Sequence, residues 1–244
     1  MTKNTKNFTK IIINIINNIS KNENNKIKLT AKYIAKSHIS GGQLFLFGTG
    51  HNHSLAEEAL HRAGGFANAC PILDKKIDFS KGIKVASKLE RTKGLGTEIL
   101  KKYSIKKNDT IIIFSNSGKN KAPIEAANYA KKIGLKVIVI LSLNYCKSFK
   151  NTQSKKLHEI ADIAIDNYGP IGDTLVEIKN NNVKVGTSST IAGSFILNSI
   201  FLELGKILKK EEPYPFYLSS NIKGSIKHNK KLENKFSKRN KFLK

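Results

Sequence analysis

A few short apolar runs, spaced along the chain with helical stretches between them, constrain its fold more than any other feature. They are Leu44-Phe45-Leu46-Phe47, Ile111-Ile112-Ile113-Phe114, Val137-Ile138-Val139-Ile140-Leu141 and Ile160-Ala161-Asp162-Ile163-Ala164-Ile165, and Asp162 is the one charged residue among them. A strand with one wet face alternates polar and apolar residues. An almost unbroken apolar run suits a parallel sheet covered on both faces. Residues 121 to 133 separate two of the runs and read as a helix, with Pro123 in its first turn and Gly134 just past its end. Strands alternating with helices predict an α/β fold, a three-layer α/β/α sandwich around a doubly wound parallel sheet. The ligand crevice of such a fold lies beyond the carboxyl ends of the strands.

The remaining elements are placed around that sheet. Two helices are predicted ahead of it, over about 8 to 20 and 24 to 38; isoleucines 11, 12, 15, 16 and 19 share one face of the first, and Gly41-Gly42 ends the pair. Residues 66 to 73 read as a further strand, 97 to 103 as a short helix, and Leu175 to Ile178 with Val183 to Val185 as a hairpin across Asn180-Asn181-Asn182 that can cover the crevice. A long helix follows over about 189 to 209, stopped by Pro213 and Pro215, and the lysine-rich residues 222 to 244 should end in a short exposed helix. The expected organisation is a helical segment at 1–40, one domain at 41–215 and a basic tail at 216–244. A chain of 244 residues can hide roughly 70 to 75 per cent of its unfolded surface, enough for one substantial core.

Composition removes several function classes. Cys70 and Cys146 form no C-x-x-C pair, which excludes a cysteine zinc site and suits a reducing cytoplasm. The opening isoleucine-rich stretch is broken by asparagines and lacks a small-residue cleavage site, so it reads as an amphipathic helix and not a leader. Ile191 to Leu208 contains Asn198, Glu203 and Lys206, which marks a core helix and leaves no membrane partner. Forty-three basic against 18 acidic residues give a formal charge of +25, a balance that often signals nucleic acid. Arg62, Arg91 and Arg239 are the only arginines, however, and the lysines run along the whole chain. Readers of nucleic acid favour clustered arginine for bidentate contacts, so no nucleic-acid partner is expected.

Two strands end in segments rich in small and polar residues: Gly48-Thr49-Gly50-His51-Asn52-His53-Ser54 and Ser115-Asn116-Ser117-Gly118-Lys119-Asn120. Glycines let the backbone approach an anion, hydroxyls and amides donate to its oxygens, and the following helix presents its positive amino end. Side by side, two such loops make a phosphate cradle. Structural readings stand beside this one. Gly48-Thr49-Gly50 also suits any tight strand-to-helix turn, and Ser54 with Glu57 satisfies a capping box. Asp74 stands at about the right remove for a dinucleotide site, but His53 occupies the place of the third glycine in G-x-G-x-x-G.

Taken together, these segments resemble the SIS (sugar isomerase) domain, whose members bind phosphosugars. Residues 8 to 235 resemble the single-domain SIS proteins related to N-acetylmuramic acid 6-phosphate etherase. The resemblance is carried by Gly48 to His53 with Leu55-Ala56-Glu57-Glu58, Arg62-Ala63-Gly64-Gly65, Phe114 to Asn120 with Pro123-Ile124-Glu125, Asp166 to Asp173, and Val185 to Thr190. It implies that Ser115, Ser117 and Asn120 surround the phosphate together with Gly118 and with Asn52, which stands where a serine is usual. Both asparagines depart from the commonest hydroxyl residues and still donate through their amides. The helix entered at Thr187-Ser188-Ser189 is expected near the sugar.

The resemblance also implies chemistry. Glu90 matches a glutamate that acts as acid or base in the etherase branch, with His51 and Glu58 as further candidates. It can take the proton at sugar C2 and help expel a C3 ether oxygen, or shuttle a proton between C1 and C2 in an aldose-ketose exchange. The alternative for Glu90 is a surface carboxylate paired with Lys88 or Arg91. The heptulose phosphate isomerase branch places a glutamate further along the helix after the first loop, near where Arg62 stands, and a histidine in the last long helix, where residues 187 to 209 have none, so that particular isomerase chemistry is not expected. Alternate spacing sends His51 and His53 in different directions. Two histidines at i and i+2 fall short of a zinc set, so neither metal nor cofactor is expected. The expected activity is proton abstraction on an amino-sugar phosphate, with a phosphosugar sensor as the rival. SIS proteins often form dimers with shared sites, which implies a homodimer or higher homo-oligomer, with His228 and Asn229 either reaching a neighbour's crevice or lying in a solvated arm.

Overall fold

The computed structural model describes residues 1–149, 155–179 and 181–243. Asn180, at the expected hairpin turn, and Lys244, at the end of the tail, lie outside the described residues. Five strands, β1 (Leu44–Gly48), β2 (Ala69–Pro71), β3 (Thr110–Phe114), β4 (Lys136–Leu141) and β5 (Ile163–Asp166), form a parallel sheet in the order β2-β1-β3-β4-β5. The apolar runs take the expected places because both faces of the sheet are covered. Leu44 and Leu46 of β1 pack with Ile112, Phe114, Ile138 and Ile140 on one face, while Phe45 and Phe47 pack with Ile111, Ile113, Val137 and Val139 on the other. Successive side chains point to opposite faces, so continuous burial requires continuous apolarity.

Helices α1 (Lys3–Asn22) and α2 (Asn24–Ile39) and the long α9 (Ser189–Ile207) cover the first face, with Ile19, Ile34, Ile196 and Leu204 wholly or almost wholly buried. Helices α5 (Leu95–Leu100), α6 (Lys121–Lys132) and α8 (Leu157–Ile160) cover the second through Ile99, Ala126, Ala130 and Leu157. Between these lie the short α3 (His53–Glu57), α4 (Ile83–Glu90) and α7 (Leu143–Ser148). By length and composition α9 could cross a membrane, but 44% of its apolar window is buried inside the domain, and it acts as the core helix its interrupting polar residues predict.

Four expectations change in detail. The strand read over 66 to 73 shrinks to Ala69–Pro71. Phe66 forms an isolated antiparallel bridge with Phe216, and the Asn68 side-chain amide turns away to Gly42 O at 2.8 Å and to His38 Nδ1 at 2.8 Å. Pro71 is tolerable because β2 is an edge strand. The run from Ile160 opens with the last residue of α8, and its strand begins at Ile163. The hairpin forms as β6 (Thr174–Glu177) and β7 (Lys184–Thr187), paired antiparallel, but it lies against α1 and does not cover the crevice. The Phe8 ring sits so close to Gly186 that a Cβ there would come within 2.9 Å of it.

The tail is also less exposed than predicted. Helix α10 (Ser225–Phe236) buries Leu232 against Ala67 and Tyr217. His228 Nε2 lies 3.0 Å from Phe216 O, and Asn229 exchanges two hydrogen bonds with the Leu218 backbone. Both side chains are therefore engaged within their own chain. Beyond α10, Arg239 pairs with the buried Asp109, and the Asn240 amide donates to Ala69 O at 3.0 Å.

A buried histidine of α2, His38, paired with the partly exposed Glu211, predicts a pH response. Burial lowers the pKa of His38, outweighing the Glu211 carboxylate 2.8 Å away; Lys235 beside that carboxylate adds to the lowering. The folded chain thus holds His38 neutral where the unfolded chain begins to bind a proton. Stability is full above about pH 6.5 and declines as pH falls through that value. Urea midpoints at successive pH values should show this decline, and His38→Gln should flatten it in part. His158, whose pKa burial also lowers, contributes to the same decline.

Candidate functional site

Strands β1 and β3 are neighbours in register, Gly48 opposite Phe114, so their following loops leave the sheet side by side. The chain turns sharply after β1. A Cβ on Gly48 would sit 2.1 Å from Asn52 O, so only glycine permits the loop to fold back on the strand. Gly48→Ala should therefore cost about 3 kcal/mol, read as a lower urea midpoint, and should distort the first loop. Gly50 and Gly118 adopt left-handed φ of 57° and 60°, one in each loop.

The loops meet at a cavity of 370 Å³. Thr49, Gly50, His51 and Asn52 line one side; Ser115, Asn116, Ser117 and Asn120 line another. Helix α6 begins at Lys121, directly after Asn120, so its amino end joins the cavity wall. Asn120 caps that helix in extended conformation without spending its side chain on a cap bond, which leaves the amide for a ligand. Among the described residues the amides of Asn116 and Ser117 have no backbone acceptor. Serine hydroxyls, free amides and a helix amino terminus are the groups from which anion sites are built.

The carboxyl-terminal end of α4 supplies a carboxylate. Glu90 lines the cavity and accepts a hydrogen bond from Thr49 Oγ1. The surface pairing with Lys88 or Arg91 does not form. The Arg91 guanidinium instead donates to Ser87 O at 2.6 Å, which leaves Glu90 turned toward the first loop. Ser87 of the same helix, Tyr145 of α7 and Asp173 also line the cavity, as do the apolar Phe79, Ile83 and Ala86.

The other residues singled out from the sequence divide between the cavity and its supports. Asn116 lines the cavity, but its Oδ1 accepts from Asn167 Nδ2 at 2.9 Å, so its amide also braces the second loop. His51 lies on the rim. His53 points inward and is 5% exposed; its Nδ1 is 3.3 Å from Glu57 and its Nε2 is buried without a partner, off the cavity wall. Glu58 is taken by Arg62 one helical turn on and does not reach the cavity. Gly118 lies behind its loop, so close to Cys146 that a Cβ would come within 2.8 Å of Sγ. Thr187 pairs with Thr174 in the hairpin, outside the cavity.

Ser188 acts at one remove. Its hydroxyl donates to Asp173 Oδ1 at 3.0 Å, while Ser189 donates its hydroxyl to Oδ2 at 2.6 Å and its amide to Oδ1 at 2.8 Å. Asp173 itself adopts a left-handed φ of 71°. Tyr145 and Asp173 were not picked out as site residues from the sequence. A signal existed for both, since they follow the carboxyl ends of β4 and β5, where ligands of doubly wound folds bind. Among the described residues no group of three His, Cys, Asp or Glu gathers as a metal site.

A parallel sheet of order 2-1-3-4-5, with polar loops converging at the β1/β3 switch point, defines a doubly wound domain with its crevice where such folds bind ligands. Residues 7–142 match the SIS domain family, and the chain belongs to it. It is 39% identical over 213 residues to a UPF0309 protein of Brucella anthropi, covering 87% of this chain and 88% of that relative. Among solved structures it shares its fold with phosphoheptose isomerase from Neisseria gonorrhoeae, at a TM-score of 0.55 and 12% identity over 82% of this chain and 94% of that one. It likewise resembles a phosphoheptose isomerase from Francisella tularensis, at a TM-score of 0.50 and 13% identity over 84% of this chain and 100% of that one.

Proposed function

We propose that the chain binds a phosphorylated sugar in the β1/β3 crevice and moves a proton on it in the cytoplasm, most simply as an aldose-ketose isomerase. The observation that carries this reading is the meeting of Thr49 to Asn52 with Ser115 to Asn120 at the start of α6, with Glu90 on the wall they share. The phosphate sits among Ser115, Ser117, Asn120 and Asn52, anchored by hydroxyls, amides and the helix terminus. Glu90 takes a proton from the sugar carbon next to the carbonyl and returns it to the former carbonyl carbon, while the enediol oxygens exchange their own proton. Thr49 fixes the carboxylate that does so. The SIS membership and the isomerases named among the fold neighbours support this class of substrate.

The same carboxylate serves elimination of a C3 ether from an amino-sugar phosphate, so substrates with and without that ether distinguish lyase from isomerase. The primary test is thermal shift with sugar phosphates against the free sugars. At a hundredfold excess over Kd, a ligand selective for the native state adds about 2.7 kcal/mol, which for this size raises Tm by roughly 5 to 10 °C. Sugar phosphates should give such a shift and free sugars none. Equal shifts from both, or none from any phosphorylated sugar, would overturn the proposal.

A further inference from the structure

A second cavity, of 910 Å³, opens at the opposite end of the sheet. Gln43, Asn68 and Lys106 line it, and they precede β1, β2 and β3 respectively, so it lies at the amino ends of the strands. The five residues of β1 separate it from the phosphate crevice by about 16 Å. Its volume is within the usual range for a small-molecule site.

The composition of its wall is specific. Five cations line it, Lys106, Lys210, Lys235, Lys238 and Arg239, against one lining carboxylate, Glu211. Lys235 is paired with Glu211, and Arg239 with Asp109. Lys106, Lys210 and Lys238 are exposed and form no ion pair among the described residues. Apolar surface from Ile39, Ile207, Leu208 and Phe236 lies between the charges. Beneath them Gln43 is 1% exposed, and both atoms of its side-chain amide lack a hydrogen-bond partner, as does Arg239 Nε. Asp109 joins the two residues, accepting the Gln43 backbone N–H on Oδ1 and the Arg239 guanidinium on Oδ2. A buried amide with donor and acceptor both idle is costly unless something engages it.

We infer that this cavity is a second ligand site, separate from the crevice, for a small organic anion bearing a planar ring with a hydrogen-bonding edge: the chemistry of a nucleoside phosphate. The three unpaired lysines take the phosphates and the apolar wall with Phe236 takes the ring, while a rotamer change of Gln43, whose idle amide is closed off beneath the wall, brings that amide to the polar edge. The inference stands apart from the sugar-phosphate reading, since the two sites share no lining residue.

Calorimetric titration of the full chain with ADP, adenosine and pyrophosphate tests it. ADP should bind with a Kd below about 1 mM, and each partial probe should bind at least about tenfold more weakly. Lys210→Ala with Lys238→Ala, both at exposed positions, should weaken ADP by about tenfold, while Ser115→Ala with Ser117→Ala should leave it unchanged. No binding at about 5 mM ADP would overturn the inference. Pyrophosphate binding as well as ADP, or ADP lost with the serines and not the lysines, would do the same. A change of oligomeric state in the lysine variant without nucleotide binding would assign the face to a second copy of the chain instead.

Discussion

Glu90→Gln is expected to lower turnover of the bound sugar phosphate by about two to four orders of magnitude, the usual contribution of a positioned acid or base. Its affinity should stay within about threefold of the unaltered chain. The glutamine carbonyl can still accept the hydrogen bond that Thr49 Oγ1 gives Glu90, so the wall keeps its shape, but the amide cannot take a proton. Two readouts separate catalysis from simple recognition. Product formation should fall, and exchange of the C2 hydrogen with deuterated solvent should fall with it. Exchange that survives in the variant would remove Glu90 from the proton transfer. If the unaltered chain binds sugar phosphates but neither converts nor exchanges them, the crevice belongs to a sensor.

The second large effect concerns binding alone. Removing both hydroxyls of the second loop, Ser115→Ala with Ser117→Ala, should cost about 3 kcal/mol of affinity for a sugar phosphate, roughly a hundredfold. Hydrogen bonds to a charged group carry more than neutral ones, and the α6 terminus and the Asn120 amide remain to hold what is left. Calorimetry measures the loss, and an unaltered urea midpoint shows that the fold is intact. Affinity within about threefold of the parent would show that the phosphate is not held by this loop. Asn116→Ala should behave differently, because it removes the brace to Asn167 and loosens the loop.

The sheet was legible wherever burial on both faces forced a continuous apolar run, as at Leu44 to Phe47 and Ile111 to Phe114. Pattern failed where side chains competed for the backbone's neighbours. Asn68 turns to His38 and Gly42, Phe66 leaves the sheet for Phe216, and the expected eight-residue strand is reduced to three residues. The packing of the hairpin on α1 was not legible, because nothing local to residues 174 to 187 specifies Phe8 as the neighbour of Gly186. The tail was misjudged because one leucine and one asparagine, Leu232 and Asn229, outweigh its many solvated lysines. At the crevice, the two loops were readable as strand ends rich in small polar residues. The facing of Glu90 and Thr49 was not, since 41 positions separate them and only the fold brings them together.

The wall of the crevice has a division of labour with consequences for how its selectivity can change. Everything proposed to hold the phosphate hangs from the central pair β1 and β3, whereas Tyr145 and Asp173 come from segments that follow β4 and β5 at the sheet's other margin. Asp173 is fastened to the first turn of α9 and not to either loop. Exchanges of these two side chains therefore reshape the far wall of the crevice, while their segments keep supporting the second loop through Cys146 beside Gly118 and Asn167 beside Asn116. On the proposed function, a lineage built on this scaffold can trade one carbohydrate for another while its handle for the charged end stays the same.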